Sequence, residues 1–286
     1  MITVFTPTYN RATYLPCVYE SLLHQSYKNF EWLIVDDGSQ DETRQVVERI
    51  KKNSPLKIRY YYKSNGGKHT AINYGVKRAQ GELFLILDSD DELPHDSLFS
   101  ISTIFKDIEH DFSFAGVCGY MAHRNGKVIG SKILSVDTST FLLHYQFHCH
   151  GDMCEVFRTG VLSRFPFPEI EGERFCPEDL IWNAIAQHYK VRVFPKVIYF
   201  RDYLSGGLTD RIIKVRMDSP TATLLYYSNM LNYSLPALTK IRSVLNYWRF
   251  WFCSDKKNVQ QISKYWNWLA PIGYLFHLTD LLRTKK

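Results

Sequence analysis

The stretch LFLILDSDDEL at residues 83–93 constrains the fold more than any other part of this sequence. Its apolar run, residues 83–87, predicts a strand that is buried on both faces, as in the interior of a parallel sheet. Asp88, Asp90 and Asp91 follow at once, so carboxylates crowd the carboxyl end of that strand. Such crowding is unfavourable unless a cation or hydrogen-bond donors lie among them, and hard oxygen ligands favour Mg²⁺ or Mn²⁺. The alternative is a solvated turn before a helix that begins near Pro94.

Three more strands are predicted upstream, and each is followed by a polar turn and by apolar residues at helical spacing. They cover residues 2–6, 32–35 and 58–62. This alternation predicts an α/β fold, in which a mostly parallel twisted sheet is flanked by helices. Parallel strands end at one edge of the sheet, where open α/β sheets bind ligands. The turns expected to meet there cover residues 7–10, 36–39, 65–68 and 88–91.

The second half of the chain is less regular. Further strands are predicted near residues 112–120, 153–157 and 191–200, and Pro195 should restrict the last of these to an edge or introduce a bulge. Asp137 is expected to cap a helix over residues 138–145. Pro177, Glu178 and Asp179 have the composition of a helix start.

Composition limits the classes of protein to consider. A chain of 286 residues can bury a sizeable core, and its formal charge of +6 suits an anionic partner. No apolar run approaches the roughly 20 residues that span a bilayer. No recognisable nucleic-acid-binding module accompanies the basic residues, so nucleic acid is not expected as a partner. The six cysteines form no CxxC pair, and no signal peptide is recognised, which favours a reducing cytosol.

From about residue 235 the sequence interleaves aromatic residues with lysine and arginine. Aromatic bodies with cationic neighbours are typical of a helix in a membrane interface. A helical appendage that packs on the main domain or on a second subunit fits the same pattern, so both interpretations stay open. We therefore expect a main domain over residues 1–215 and a helical, aromatic-rich region over residues 216–286.

Five motifs carry a resemblance to a known family. They are TPTYNR (6–11), VDDGSQDET (35–43), NGGKHTAINYG (65–75), LDSDD (87–91) and PEDLIW (177–182). In this order the motifs resemble the inverting family 2 glycosyltransferases of the GT-A fold, over roughly the first 210 residues. The resemblance implies a Rossmann-like nucleotide-binding half at about 1–110 and an acceptor half at about 111–215. It also implies transfer of a sugar, of the hexosyltransferase type, from a nucleoside diphosphate donor that is usually a UDP-sugar.

Site residues follow from the resemblance by position. It implies that Asp90, with help from Asp91, binds a divalent cation, Mn²⁺ or Mg²⁺. Many members carry an arginine where this chain has Ile72, and Lys68 could supply the missing positive charge. The residues expected to contact the nucleotide or donor sugar are Pro7, Tyr9, Asn10, Arg11, Asp36, Asp37, Asn65, Gly67, Lys68, Asp88 and Ser89.

Inversion requires a base that takes the proton of the acceptor hydroxyl. The resemblance places it at Asp179, with Glu178 as the alternative. A helix N-terminus stabilises an anionic carboxylate, so either residue can stay ionised at neutral pH. The loop with Ser205, Gly206 and Gly207, followed by Arg211, is a candidate lid over the diphosphate, although an ordinary surface loop fits the same sequence.

The family and the basic aromatic tail together suggest a glycan or lipid-linked acceptor, in synthesis of a bacterial surface polysaccharide such as capsule. The expected location is cytoplasmic, peripheral at the inner face of the cell membrane, and an oligomer stays open. One alternative is a non-catalytic nucleotide-binding subunit of a polysaccharide assembly complex. Another is a sugar-nucleotide pyrophosphorylase, although residues 6–11 lack the glycine-rich phosphate loop expected of that class.

Overall fold

The computed structural model describes residues 1–145, 147, 149–202, 211–255 and 259–284. The chain divides into two compact units. The first unit comprises residues 1–166 and 182–202, and the second comprises residues 167–181 and 203–286. Ser205, Gly206 and Gly207 of the candidate lid lie outside the described residues. No helix among the described residues is long and apolar enough to cross a membrane.

The first unit is built on one mixed sheet. In chain order its strands are β1 (Ile2–Thr8), β2 (Phe30–Asp36), β3 (Ile58–Tyr62), β4 (Leu83–Ile86), β5 (Phe114–Ala122), β6 (Val136–Thr138), β7 (Met153–Arg158) and β8 (Lys190–Phe200). The strands lie in the order β3-β2-β1-β4-β7-β5-β8-β6. β1 pairs in parallel with β2 and β4, and β2 pairs in parallel with β3. β7 runs antiparallel between β4 and β5.

Helices in this part of the chain follow the strands. They are α1 (Leu15–Leu23), α2 (Thr43–Asn53), α3 (Lys68–Val76), α4 (Ser97–Lys106), α5 (Thr140–Tyr145), α6 (Thr159–Leu162) and α7 (Asp179–Ala186). Val4 faces a core that includes Leu15 of α1 and Leu98 of α4. Phe5 points to the other face of β1, where α3 packs on β1 and β2. Helices therefore cover both faces, which explains why β1 and β2 are buried along their whole length.

Two expectations for the second half have different outcomes. The irregularity at Pro195 is confirmed, because the partner of Cys118 is Val193 while the partner of Tyr120 is Val197, so the register shifts around the proline. The expected cap at Asp137 is wrong. Asp137 lies in β6, and both of its carboxylate oxygens accept hydrogen bonds from Arg192 of β8 at 2.8 Å.

The second unit is helical in the residues described. Its main helices are α8 (Ile212–Asp218), α9 (Pro220–Met230), α10 (Ala237–Trp251) and α11 (Ala270–Thr284), with a 3₁₀ helix over Lys264–Leu269. Leu224 of α9 packs with Tyr247 and Phe250 of α10, and all three are at most 1% exposed. The aromatic side chains on this face of α10 therefore form the small core of the unit.

Candidate active site

The carboxyl ends of β1 to β4 form one polar edge of the sheet, as the sequence predicts; we call it the donor edge. Backbone hydrogen bonds continue the sheet past the strand ends. The Asp37 amide donates to the Thr8 carbonyl at 2.8 Å, and the Lys63 amide donates to the Asp36 carbonyl at 2.9 Å. The turns after neighbouring strands are therefore held side by side.

Side chains join the turn after β1 to the turn after β2. Asn10 has a positive φ of 52°, a conformation that asparagine tolerates better than most residues. Its amide N–H donates to Ser39 Oγ at 2.8 Å, and its Oδ1 accepts from the Gln40 amide at 2.8 Å. The Arg11 amide donates to Thr43 Oγ1 at 3.2 Å. These contacts fix the backbone that carries Tyr9 and Arg11, and Tyr9 itself is 45% exposed.

Asp36 is buried at the end of β2 and accepts two hydrogen bonds. Its Oδ1 accepts from the Ser39 amide at 2.8 Å, and its Oδ2 accepts from the Tyr60 hydroxyl at 2.7 Å. Burial, and then this bond to Asp36, raises the pKa of Tyr60. The tyrosine therefore stays protonated and can donate. These contacts give Asp36 a role in shaping the loop, and its contact with a nucleobase or ribose stays a prediction.

Asp37 holds the turn after β3. Its Oδ1 accepts from Lys63 Nζ at 2.7 Å and from the Gly66 amide at 3.0 Å, and its Oδ2 accepts from the Gly67 amide at 2.7 Å. Asn65 Nδ2 donates to the Asp37 carbonyl at 2.8 Å. One carboxylate thus anchors the loop that leads into α3 and sets the position of Lys68 at its first residue.

Gly38 permits this close approach of loops. Its φ is +87°, and a Cβ built on it would lie 2.7 Å from the Asn65 backbone nitrogen. A larger residue would be strained in this conformation and would push the two turns apart. The glycine of the VDDGS motif is therefore explained by backbone packing alone.

Asp88 forms an ion pair with Lys68, the first residue of α3. Lys68 Nζ lies 2.6 Å from Asp88 Oδ1, and both side chains are partly exposed. Burial raises the pKa of Asp88, but attraction and a hydrogen bond to Lys68, followed by attraction to Arg201 and Arg11, lower it overall. Asp88 is therefore ionised, and a cluster of cations surrounds it.

Asp91 is the buried member of the acidic cluster, and Tyr199 of β8 holds it through a hydrogen bond. The Tyr199 hydroxyl donates to Asp91 Oδ2 at 2.8 Å and accepts from the Asp88 amide at 3.0 Å. Burial, and then repulsion from Asp88, raises the pKa of Asp91 to about 7, against the stabilising bond from Tyr199. Asp91 is thus placed to hold the turn, and its predicted role at a metal stays a prediction.

Asp90 is slightly more exposed than Asp88, the other partly exposed carboxylate of the acidic cluster. Its side chain is 27% exposed, and Arg11 Nη2 lies 3.8 Å from its Oδ2. Among the residues that the structure describes, no three acidic, histidine or cysteine side chains converge as a ready-made metal site. A divalent cation that takes few protein oxygens and completes its shell with phosphate and water fits this donor set. Ser89, which lies between Asp88 and Asp90 in the sequence, is buried.

The predicted base lies in the second unit, at the start of α7. Asp179 is exposed and Glu178 is half-buried. The Glu178 carbonyl accepts from the Ile181 amide at 2.9 Å, so both residues belong to the first turn. Arg211, at the N-terminal end of α8, is also exposed. Their roles in catalysis and in a lid stay predictions.

Four residues of the first unit were not predicted from the sequence. Tyr199 and Arg201 come from the end of β8, more than 100 residues after the acidic cluster, and no motif marks them. Lys63 carries only a weak signal, because a single lysine at a strand end is common on surfaces. Thr8 carries a buried hydroxyl, and no partner for it is found in the described part of the chain. The residue after a tyrosine-rich strand could have indicated Lys63, but nothing local indicates Tyr199.

Comparison with known proteins is consistent with this arrangement. A family model described as glycosyl transferase family 2 matches residues 3–165, more than half of the chain. An uncharacterized glycosyltransferase of Rickettsia conorii is 44% identical over 227 residues, which cover 78% of this chain and 34% of the relative. TuaG of Bacillus subtilis, a putative teichuronic acid biosynthesis glycosyltransferase, is 34% identical over 116 residues, 41% of this chain and 46% of TuaG. The chain spans about a third of the length of its first curated relatives.

Solved structures share the fold at lower identity. Staphylococcus aureus TarS (1–349) in complex with UDP-GlcNAc matches with a TM-score of 0.63 and 21% identity, covering 90% of this chain and 74% of that chain. The mannosyltransferase PcManGT of Pyrobaculum calidifontis matches with a TM-score of 0.59 and 18% identity, covering 96% and 73%. The prediction of a GT-A α/β fold is confirmed. With the family model matched across β1 to β7, the chain belongs to glycosyl transferase family 2.

Proposed function

We propose that this chain transfers a sugar from a UDP-sugar to a glycan or lipid-linked acceptor, with inversion at the anomeric carbon. The observation that carries the proposal is the charge arrangement on the donor edge. Lys68 and Arg11 lie beside Asp88 and Asp90, and all four side chains keep partial exposure. Such a mixture of cations and carboxylates suits a diphosphate and its counter-ion.

Known structures support the class of donor. TarS has been solved with UDP and with UDP-GlcNAc, and PcManGT with GDP-Man and Mn²⁺. A nucleoside diphosphate sugar is therefore the donor class that we propose for this chain, with UDP as the first nucleotide to test. In this proposal the loops that carry Tyr9, Asn10, Asp36 and Asp37 surround the nucleoside.

A divalent cation, Mn²⁺ or Mg²⁺, is proposed at Asp90. When bound, it would neutralise the charge of the leaving diphosphate. Lys68 contributes positive charge at the same edge and, through Asp88, is held in place at the start of α3. Asp91 holds the turn after β4 in place through its hydrogen bond with Tyr199.

The chemical step needs one proton acceptor. A bond forms between the acceptor oxygen and the anomeric carbon, while the bond from that carbon to the diphosphate oxygen breaks and the diphosphate keeps its electron pair. The acceptor hydroxyl loses its proton to a carboxylate. We assign this role to Asp179, because it is exposed at the start of α7, where a helix N-terminus favours negative charge, and Glu178 is the alternative.

The biological setting is proposed from a curated relative. The name of TuaG connects that relative with teichuronic acid synthesis, and surface-polysaccharide synthesis is the role that we propose for this chain. The division into nucleotide-binding and acceptor halves, the candidate lid around Arg211 and a peripheral location at the inner face of the membrane belong to the same proposal.

Calorimetric titration of UDP tests the donor site directly. Wild type is titrated in Mn²⁺ and in EDTA beside Asp90→Ala, with Asp107→Ala as the matched control because Asp107 is an exposed acid on the same unit. We expect binding that depends on Mn²⁺ in wild type and control, and at least about tenfold weaker binding in Asp90→Ala because a cation ligand is lost. Mn²⁺-dependent hydrolysis of UDP-sugars would then identify the donor.

Failure of the titration is equally informative. If UDP does not bind in either condition, titration with GDP, CDP and dTDP follows. Binding of one of these nucleotides would replace UDP in the proposal. Binding of none would reject the donor site and, with it, the non-catalytic nucleotide-binding subunit.

A further inference from the structure

Helix α11 packs with its polar stripe inward. Gly273, His277 and Asp280 are its buried residues at helical spacing, and each meets α10 or the residues after it. Arg249 Nη2 donates to Asp280 Oδ1 at 2.6 Å, and Cys253 Sγ lies 3.6 Å from His277 Nδ1. A glycine, a histidine and an ion pair thus make much of the contact between these helices, and Tyr274 adds an edge-on ring contact with Phe252.

The opposite side of the helix is apolar and exposed; we call it the outer face of α11. Leu275 is 60% exposed and Leu282 is 71% exposed, and Trp268, just before the helix, is 61% exposed. The remaining members of the face are Ile272 and Leu278, each at least 37% exposed. Tyr274 and Phe276 are 43% exposed at its borders, where Tyr274 contacts Phe252. A contiguous apolar surface of this kind usually marks a site that something else covers.

The exposed charged residues of α11 and of the described segment just before it are basic, and α8, which contacts α11, adds one exposed acid, Asp218. Asp280 is the only acidic residue among the described residues 259–283, and it is 1% exposed and paired with Arg249. Arg242 and Arg283 are exposed at one side of the face. With Asn246, Phe276 and Thr279 they line a surface groove of about 540 Å³. Arginine side chains beside hydrogen-bonding groups suit a phosphate group.

From this pattern we infer that the outer face of α11 docks on an anionic phospholipid membrane, with Arg242 and Arg283 at lipid phosphates. At 1.5 Å per residue the helix is about 22 Å long. This is shorter than the bilayer core of about 30 Å, so the helix lies in the plane of the interface. Trp268 and Tyr274 have the amphipathic rings that favour the interfacial region.

A second copy of the chain fits this face less well. A symmetric dimer brings the same patch of both subunits together, so the arginines of one copy would need acids on the other. The described residues of the face itself offer none that is exposed, and the exposed Asp218 lies outside it on α8. An anionic lipid surface supplies the missing negative charge and covers the apolar side chains at the same time. This inference gives a contact surface to the peripheral location proposed above, and it stands whether or not the chain transfers a sugar.

Vesicle co-sedimentation of the full chain tests the inference. The probes are vesicles of phosphatidylcholine alone and vesicles that also contain phosphatidylglycerol. We expect wild type to bind only the second kind, and Arg242→Gln with Arg283→Gln to weaken binding about fivefold for each arginine removed. Leu275→Gln with Leu282→Gln should weaken it at least tenfold, because less apolar surface enters the interface.

Matched controls isolate the surface from general effects. Arg44→Gln with Arg49→Gln removes two exposed arginines from α2, and Leu134→Gln removes an 84% exposed leucine from the first unit. Both controls should bind vesicles like wild type. Brominated acyl chains should quench tryptophan fluorescence in wild type, and Trp268→Phe should lose much of that quenching. UDP titration of every variant reports folding and the donor site separately.

Three results would overturn the inference. The first is wild type that does not bind phosphatidylglycerol vesicles. The second is binding that the α11 variants and their controls share equally. The third is a wild-type dimer in solution that Leu275→Gln with Leu282→Gln dissociates, because a second copy would then cover the face. Loss of UDP binding with intact vesicle binding would reject the donor site alone.

Discussion

The donor edge and α11 distribute charge in opposite ways. On the donor edge, carboxylates lie partly or wholly inside the protein and each has a partner, as in Asp37 with Lys63 at 2.7 Å and Asp88 with Lys68 at 2.6 Å. On α11 the one carboxylate is buried against Arg249, and leucines up to 71% exposed point outward. Globular proteins usually bury apolar groups and expose charged ones. Both regions depart from that rule.

The two regions differ in whether contacts within the chain account for the arrangement of their side chains. The buried carboxylates on the donor edge accept hydrogen bonds from other described residues, so much of their arrangement is explained before any ligand binds. Contacts within the chain do not explain the outer face of α11, because exposure of apolar side chains to water is unfavourable. A ligand on the donor edge would add contacts to an existing hydrogen-bond network. The outer face of α11, in contrast, needs a partner that covers its apolar side chains.

The largest effect should come from the proposed base. Asp179→Asn keeps the size of the side chain but removes its capacity to take a proton, so we expect sugar transfer to fall about 10² to 10⁴-fold. UDP affinity should not change, because the donor edge keeps all of its groups. Steady-state transfer assays and calorimetry measure the two quantities separately.

Glu178→Gln and the exposed Glu171→Gln serve as comparison variants for the base. The first should reduce transfer less than Asp179→Asn does, and the second should leave it unchanged. The opposite ranking of Glu178→Gln and Asp179→Asn would move the base to Glu178. Full activity in both would remove proton transfer from the start of α7 altogether.

Stability on the donor edge should depend on pH through Asp91. Its folded pKa, raised to about 7 by burial and by Asp88, exceeds that of an unfolded aspartate, so the folded state binds more protons between about pH 4 and 7. Stability from this group is therefore present at low pH and lost as the pH rises through 7. Asp88, whose pKa is lowered, acts in the other direction and loses stability only in stronger acid.

Asp91→Asn should remove this dependence. Between pH 5 and 8 wild type should lose roughly 2–4 kcal/mol of unfolding free energy from this group, and the variant should lose much less. Urea unfolding in EDTA at several pH values measures it, with Asp107→Asn as the control. Parallel pH profiles for wild type and Asp91→Asn would show that Tyr199 and its neighbours hold an ionised carboxylate.

Much of the donor edge could be predicted from sequence because its signals are local. Apolar runs give β1, β2, β3 and β4, and each turn follows its strand directly. The parallel order then fixes which turns meet. Tyr199 could not be predicted, because its contact with Asp91 joins residues 108 positions apart and depends on how β8 pairs with β5.

Two other features could not be predicted from local sequence, because they depend on contacts between residues that are distant in the chain. Asp137 precedes a helical segment and has the residue type of a cap, but Arg192 on the neighbouring strand binds it instead. Aromatic and basic residues late in the chain indicated an interface helix or a packed appendage. The packed appendage is observed for α10, whose Tyr247 and Phe250 are buried, whereas the membrane interpretation stays a proposal for α11, whose apolar side chains are exposed.

The inward stripe of α11 offers a sharper test of its packing. A Cβ built on Gly273 would lie 2.3 Å from Trp248 Cβ, so Gly273→Ala forces α10 and α11 apart. We expect it to cost about 1–3 kcal/mol, more than the gain in helix propensity that alanine normally brings. Urea unfolding followed by circular dichroism measures the change. A stabilised Gly273→Ala would mean that the two helices are not in close contact at this point.

The smallest effect should come from the outer face of α11. Leu278→Gln replaces a side chain that is already 37% exposed by one of similar helix propensity, so stability should change by no more than about 0.5 kcal/mol. Leu269→Ala, at a position only 2% exposed in the preceding turn, is the matched contrast and should cost about 2–5 kcal/mol. Urea unfolding of the isolated protein compares them. A Leu278→Gln variant as unstable as Leu269→Ala would mean that the protein covers this face in solution, and the contrast between α11 and the donor edge would then disappear.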